Sequence, residues 1–110
     1  MKYFTVRDES EIRIIQVEWL LAVEVNDYLC TFYVENELPF TCVESLRKIL
    51  SELPYGFIRI SRKCIVNTQY VKSIDFKTRK VKMSGNMVFI FSARNAPVLK
   101  RFFSRNGGSV

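Results

Sequence analysis

The stretch Phe57-Ile58-Arg59-Ile60-Ser61-Arg62-Lys63-Cys64-Ile65-Val66-Asn67 gives the clearest indication of the fold. Two short apolar segments, 57–60 and 64–66, flank the polar run Ser61-Arg62-Lys63. Short apolar segments bounded by polar turn residues are typical of strands. The run Asn67-Thr68-Gln69 then indicates a tight turn, because an asparagine side chain can bond to its own backbone. We therefore interpret Asn67 as a turn former rather than a ligand contact.

The remainder of the chain mostly shows a period of two, which is the period of a strand with one buried face. A polar turn at 7–11 indicates a hairpin near the N-terminus, and Phe76-Lys77-Thr78-Arg79 indicates another. The predicted strands span residues 2–6, 12–15, 20–25, 28–34, 38–42, 57–60, 64–66, 71–75, 80–83 and 87–91.

An internal helix interrupts this pattern. Its apolar residues recur at the i, i+3, i+4 and i+7 spacing of an amphipathic helix, as Leu46, Ile49, Leu50 and Leu53. Pro54 and Gly56 end it. We interpret this apolar stripe as core packing.

A second helix is predicted at the C-terminus. Ser92 or Asn95 could cap it, and Pro97 suits its first turn. Its apolar face consists of Val98, Leu99, Phe102 and Phe103. We expect residues 1–105 to form one domain and residues 106–110 to form a flexible tail. The sequence thus predicts a mainly β domain with one internal helix and one C-terminal helix.

Acidic and basic residues are separated along the chain. Residues 1–55 hold 5 Lys/Arg and 10 Asp/Glu, whereas residues 56–110 hold 12 Lys/Arg and one acid, Asp75. These halves carry −5 and +11, which sum to the net charge of +6. A charge excess confined to one half predicts a basic surface when the chain folds, and nucleic acid is the leading candidate for its partner.

Composition excludes several kinds of catalytic and metal site. The chain has no histidine, which removes histidine-dependent nucleophiles and the common zinc sites. Its 4 glycines stand at positions 56, 85, 107 and 108 and form no phosphate-binding loop. We therefore expect no enzyme activity, no catalytic residues, no cofactor, no metal and no small-molecule substrate.

The cysteines and the N-terminus bear on the compartment. Cys30, Cys42 and Cys64 are an odd number without close spacing, which predicts buried free thiols in a reducing environment. The N-terminus has no signal-peptide apolar region, and no stretch reaches the ~18 apolar residues of a membrane span. We expect a cytoplasmic protein that does not enter a membrane.

Three polar segments at strand ends carry the candidate chemistry. They are Glu24-Val25-Asn26-Asp27-Tyr28, Arg59-Ile60-Ser61-Arg62-Lys63 and Ser92-Ala93-Arg94-Asn95. Loops held by a rigid sheet are where binding residues usually lie. Arginine can bond a guanine edge at two atoms in the major groove, and other cations can neutralise phosphates. The phosphate candidates form a set: Lys72, Lys77, Arg79, Lys80, Lys82, Lys100 and Arg101.

These residues also carry a family resemblance. The run Phe57–Asn67 resembles the signature of the LytTR family of DNA-binding domains, which reads Phe, any residue, Arg, any residue, His-Arg-Ser, an aromatic, then Ile/Val-Val-Asn. Ser61 and Lys63 replace the family's common histidine and serine. Residues 19–28, Ser45-Leu46 with Leu53-Pro54, and Ser92-Ala93-Arg94 resemble further parts of the family pattern, in the family's order over about residues 3–103.

The resemblance implies an elongated β-sheet domain that binds duplex DNA through its loops in a transcription regulator of the response-regulator type. It implies base contacts at Asn26 or Asp27, at Arg62 and at Arg94. A carboxylate at Asp27 can accept from cytosine N4 but would repel phosphates. Most members carry a receiver domain before this module; none is present here, which leaves a stand-alone regulator or an excised fragment.

Some residues have an alternative interpretation. Arg59 could contact DNA, or it could pair with Glu24 or another acid and fix a loop. Trp19 and Tyr28 are expected to be core or half-buried aromatics. The full set of candidate DNA-binding residues is Asn26, Asp27, Arg59, Ser61, Arg62, Lys63, Lys77, Arg79, Arg94 and Asn95.

Our leading hypothesis is sequence-specific binding of double-stranded DNA in the major groove, with a homodimer on paired sites as a further expectation. An RNA-binding module is the second hypothesis, in which aromatic side chains would stack on unpaired bases. A protein-interaction domain with a basic docking face is the third.

Overall fold

Ten strands and two helices occupy the part of the chain that the computed structural model describes, residues 2–7 and 9–107. The strands are β1 (Tyr3–Arg7), β2 (Ile12–Gln16), β3 (Leu20–Asn26), β4 (Leu29–Val34), β5 (Phe40–Val43), β6 (Phe57–Ser61), β7 (Cys64–Asn67), β8 (Val71–Asp75), β9 (Lys80–Met83) and β10 (Met87–Ile90). The helices are α1 (Leu46–Glu52) and α2 (Ala96–Gly107). Short 3₁₀ turns occupy Val17–Trp19, Thr68–Tyr70, Ser84–Asn86 and Ala93–Asn95.

The centre of the molecule is a five-stranded antiparallel sheet with the order β5-β4-β3-β7-β6. Successive residues of a strand point to opposite faces, and both faces of this sheet are covered. Val23 and Ile65, opposite each other on β3 and β7, belong to one core cluster. Ala22 and Val66, the next opposed pair, belong to the other. This burial explains why β7 is apolar at consecutive positions.

The first face is covered by the β1–β2 hairpin and by α1. Phe32 is fully buried there, and its ring stacks on Phe40 with centroids 5.2 Å apart. Leu46 and Ile49 of α1 are buried in the same cluster, as the predicted stripe requires. The Ser45 hydroxyl accepts a hydrogen bond from the Lys48 backbone N–H at 3.2 Å and caps the helix.

The second face is covered by a three-stranded sheet, in the order β10-β9-β8, and by α2. Val81, Phe89 and Leu99 are buried between these elements and the central sheet. The stacking of three sheets and two helices gives an elongated molecule of 47 × 31 × 25 Å.

The predicted mainly β class with one internal and one C-terminal helix is confirmed. The C-terminal helix begins at Ala96, after the 3₁₀ turn, and runs to Gly107; residues 108–110 of the expected tail lie outside the described residues. Ser92 lies at the start of the 3₁₀ turn but its side chain does not cap it.

The three cysteines are buried and free, as predicted. Burial raises the pKa of the Cys30 and Cys64 thiols, so both stay protonated at neutral pH.

The expectation for two aromatic residues was wrong. Trp19 is 47% exposed and Tyr28 is 81% exposed. Trp19 lies in a 3₁₀ turn whose neighbours Val17 and Leu20 take the inward positions instead. Tyr28 lies at the tip of the β3–β4 hairpin, beyond the end of either core. A period-two pattern continues into a tight turn without the residues there becoming buried.

Asn67 is the buried polar residue of the described core, 4% exposed. Its Nδ2 donates to the Leu20 carbonyl at 2.9 Å, and its Oδ1 accepts from the Gln69 backbone N–H at 3.0 Å. The side chain therefore forms the predicted turn and also joins the end of β7 to the start of β3.

We expect Asn67→Leu to lower the free energy of unfolding by about 1–3 kcal/mol, because the Leu20 carbonyl and Gln69 N–H lose their partner in a buried site. Urea denaturation would measure this loss. Gln69→Ala, which removes an exposed side chain nearby, should change stability by less than about 0.5 kcal/mol. Equal stabilities for the two variants would contradict the structural role of Asn67.

Candidate nucleic-acid interface

Four loops lie side by side along one edge of the molecule: loop 1 (residues 26–28), loop 2 (residues 61–63), loop 3 (residues 76–79) and loop 4 (residues 92–95). Backbone hydrogen bonds join them. Val25 N–H donates to the Lys63 carbonyl at 2.7 Å, joining loops 1 and 2. Ser92 N–H donates to the Ile60 carbonyl at 3.0 Å, and Phe91 N–H to the Arg79 carbonyl at 3.0 Å. Loop 4 thus lies between loops 2 and 3, and we call the four together the loop edge.

Loop 2 is shaped by Arg59, which is half-buried in β6. Its Nε donates to the Ser61 carbonyl at 3.1 Å and its Nη2 to the Arg62 carbonyl at 2.8 Å. The Ser61 hydroxyl accepts from the Lys63 backbone N–H at 3.1 Å. These bonds fix the turn from inside, and the side chains of Arg62 and Lys63 are left exposed.

Arg59 therefore fixes a loop, which is the second of the two roles considered for it in the sequence analysis. The partners differ from those expected, because Arg59 bonds backbone carbonyls instead of the Glu24 carboxylate. Glu24 accepts a hydrogen bond from the Tyr33 hydroxyl at 3.1 Å. It is half-buried and lines, with Arg62 and Arg79, a hollow of about 550 Å³ between loops 2, 3 and 4.

Loop 4 is held by its two polar ends. The Ser92 hydroxyl donates to Asn95 Oδ1 at 2.5 Å, and Asn95 Nδ2 donates to the Arg59 carbonyl at 3.0 Å. Asn95 thus uses both ends of its amide to hold loop 4 against β6. The Arg94 side chain between them is exposed.

Loop 3 is organised by the one acid of the basic half. Oδ1 of Asp75 accepts from the backbone N–H groups of Lys77, at 2.9 Å, and Thr78, at 3.2 Å. Hydrogen bonding from the Thr78 backbone, then from its side chain, lowers the pKa of Asp75, with a smaller contribution from Lys77. Lys77 and Arg79 are exposed, and Arg79 closes the turn at φ 58°.

Loop 1 is a tight turn with Asp27 at φ 58°, a conformation that aspartate tolerates better than most residues. Asn26, Asp27 and Tyr28 are all exposed. Tyr28 was not among the predicted site residues. Its position directly after an Asn-Asp turn signal could have indicated that it lies at a hairpin tip and not in the core.

All ten predicted site residues lie in or next to the loop edge. Three of them, Arg59, Ser61 and Asn95, form side-chain hydrogen bonds that stabilise the loops. The exposed members are Asn26, Asp27, Arg62, Lys63, Lys77, Arg79 and Arg94. Other phosphate candidates lie elsewhere: Lys80 and Lys82 are exposed on β9, while Lys72 and Lys100 line a groove between β8 and α2.

The cations of the loop edge form no ion pair within 4.0 Å among the described side chains. Among the side chains described, residues 2–7 and 9–104, the two ion pairs within 4.0 Å are Arg13–Glu11 and Lys48–Glu44, both in the acidic half. Ion pairing therefore leaves the charges of Arg62, Lys63 and Arg94 available. Closely spaced free cations on loops are the footprint expected for a polyanion.

No group of three or more Cys, Asp or Glu side chains among the described residues is arranged to hold a metal ion. No helix in this part of the chain has the length and apolar character needed to cross a bilayer.

The fold and the loop edge define a mainly β domain with a row of exposed cations on its loops. Residues 10–104 match the family model of the LytTr DNA-binding domain. The fold is similar to a solved Bacillus cereus structure, the LytTr DNA-binding domain of a protein described as a methyl-accepting/DNA response regulator. The TM-score is 0.79 at 22% identity, over 94% of this chain and 97% of that one. No curated protein matches this chain.

Because the family model covers most of its length, the chain belongs to the LytTR family of DNA-binding domains. It is accordingly a DNA-binding domain. The resemblance noted in the sequence is confirmed, and so is the expected elongated β fold.

Replacing Arg59 should loosen loop 2. In Arg59→Met the aliphatic stem remains while the bonds to the Ser61 and Arg62 carbonyls are lost. Loss of about 1 kcal/mol of local stability would raise the amide exchange rate at Lys63 roughly fivefold. Hydrogen exchange followed by NMR measures this rate. Arg62→Met is the matched control and should leave it unchanged; equal acceleration in both variants would refute the role of Arg59.

Acid should loosen loop 3. Because the pKa of Asp75 is lower in the folded state, its ionisation favours the folded loop above the ordinary aspartate value of 3.8. That contribution is lost as the pH falls through the lowered pKa. NMR titration should show the Thr78 amide responding with a midpoint below 3.8. In Asp75→Ala this response should vanish, and a midpoint at or above the ordinary value in the native chain would contradict the assignment.

Proposed function

We propose that this domain binds double-stranded DNA sequence-specifically, with Arg62 and Arg94 bonding base edges in the major groove. The observation that supports this best is the set of backbone hydrogen bonds that holds loops 2 and 4 together. Each loop presents one exposed arginine between anchored ends, so the backbone positions from which the two side chains extend are fixed. Arginine forms the commonest specific contact with guanine because its two donors match O6 and N7.

The remaining cations of the loop edge would hold the phosphates. Lys63, Lys77 and Arg79 are exposed on either side of the two arginines in the row of loops. Lysine contacts with phosphate add affinity without distinguishing bases. Asn26 or Asp27 would supply a third base contact at the end of the row.

We place the activity in residues 1–105 as one domain, and in the cytoplasm, where buried free thiols stay reduced. We propose binding and not catalysis as its activity. Two copies on paired sites would agree with the family resemblance. A repeat of fixed spacing in the selected DNA sequences, with two chains bound per duplex, would support this arrangement. One chain per duplex at saturation would contradict it.

The test begins with selection of bound sequences from a random duplex library. On the selected duplex, Arg94→Ala should cost about 1–3 kcal/mol, between five- and 150-fold in affinity, and should relax preference at one base pair. Fluorescence anisotropy at fixed salt measures both. Arg47→Ala, an exposed arginine on α1 in the acidic half, is the matched control and should bind as the native chain does. Equal affinity of Arg94→Ala for the selected and unrelated duplexes, with no loss on the selected one, would refute base readout.

Lysine variants should behave differently in the same titrations. Lys77→Ala should weaken selected and unrelated duplexes alike and reduce the salt slope by about 0.9. Single-stranded RNA added as competitor tests the second hypothesis, since Tyr28 is exposed at loop 1 and could stack on a base. RNA that displaces the selected duplex at equimolar concentration would overturn the proposal for duplex DNA.

A further inference from the structure

A groove of about 510 Å³ runs between β8 and α2 and meets the loop edge at Phe76 of loop 3. One wall is Val71–Ile74 of β8. The opposite wall includes Leu99 and Phe103 of α2, and Phe76 closes one end. Lys72 and Lys100 stand at its rim on opposite walls. Binding of DNA through loops 1, 2 and 4 makes no use of this groove.

The strand that forms one wall has an unpaired edge. The sheet order β10-β9-β8 leaves β8 paired to β9 alone. Backbone N–H and C=O groups along such an edge can pair with a further strand from another molecule. The groove beside β8 supplies the space in which an added strand would lie.

The charge of the groove restricts the occupant. Lys72 and Lys100 have no carboxylate within 4.0 Å among the described side chains, and Asp75 is engaged by its own turn. Lys100 Nζ lies 5.1 Å from the centroid of Phe76, which holds its charge over the end of the groove. A second copy of β8 would add a second Lys72 to this already cationic groove, which disfavours self-pairing. The apolar floor is a poor match for the polar backbone of DNA.

We propose that this groove binds an extended peptide segment of an acidic partner protein, which adds as a strand to the free edge of β8. Its apolar side chains would pack on Ile74 and Phe103, and its carboxylates would pair with Lys72 and Lys100. Main-chain bonds to β8 would supply affinity, while the two lysines would select acidic over basic segments. This inference is independent of the proposed base readout.

The probe for the test is a fluorescein-labelled seven-residue peptide that alternates glutamate and leucine, titrated into the full chain. Amide NMR shifts should change at residues 71–76 and 99–104. Changes confined to loops 1, 2 and 4 would overturn the proposal. A peptide alternating lysine and leucine is the charge control and should bind at least tenfold more weakly.

Charge-reversal variants separate the groove from general electrostatics. Lys72→Glu with Lys100→Glu should weaken the acidic peptide at least tenfold. Lys80→Glu with Lys82→Glu carries the same charge change on β9, outside the groove, and should weaken it less than twofold. Equal losses in the two double variants would overturn the proposal.

Main-chain pairing has its own test. Two versions of the acidic peptide are N-methylated on alternate residues, one in each phase. The phase that blocks the amides facing β8 should lose at least tenfold in affinity, because N-methylation removes the donors of a strand pair. Undiminished binding by both versions would overturn strand addition.

Discussion

Pairing of β3 with β7 is the constraint on which the rest of the molecule depends. These strands are buried on both faces, so each must be apolar at consecutive positions. A one-residue shift in register would exchange the side chains of the two core clusters. This pairing fixes the positions of loop 1, which follows β3, and loop 2, which precedes β7. The Val25 bond to Lys63 is the last rung of this pairing towards the loop edge.

The second core then determines where loop 4 lies. Phe91 is almost fully buried in it, and the backbone on either side bonds to Arg79 and Ile60. Arg94 follows three residues later and cannot lie far from loop 2. The polar contacts of Asn95 with Ser92 and Arg59 complete the positioning. The side chains exposed on the loop edge are flexible, but the two apolar cores hold the backbone that carries them in place.

Much of this arrangement could be predicted from the sequence. Strand and helix positions follow from apolar periods, and the internal helix from one stripe, because these patterns reflect burial directly. Roles within the site were harder to predict. Arg59 and Arg62 are the same residue type three positions apart, yet one bonds carbonyls inside the turn and the other is exposed. That difference depends on the register shift between Arg59 and Ser61, which no local pattern reports. The burial predicted for Tyr28 was wrong for a related reason. The residue lies at a hairpin tip, where the alternation of buried and exposed positions along the strand ends.

The separation of charge along the sequence becomes a separation in space. The acids of the first half lie largely on the hairpin, turns and helix around the first core, as with Glu9, Glu37 and Glu52, all exposed. The free cations lie beyond the second core and on the loop edge. A polyanion approaching such a molecule is repelled from one side and attracted to the other, which orients the encounter before any contact forms. Such an orienting effect comes from the whole charge distribution, so it does not depend on the exact position of any one flexible cationic side chain.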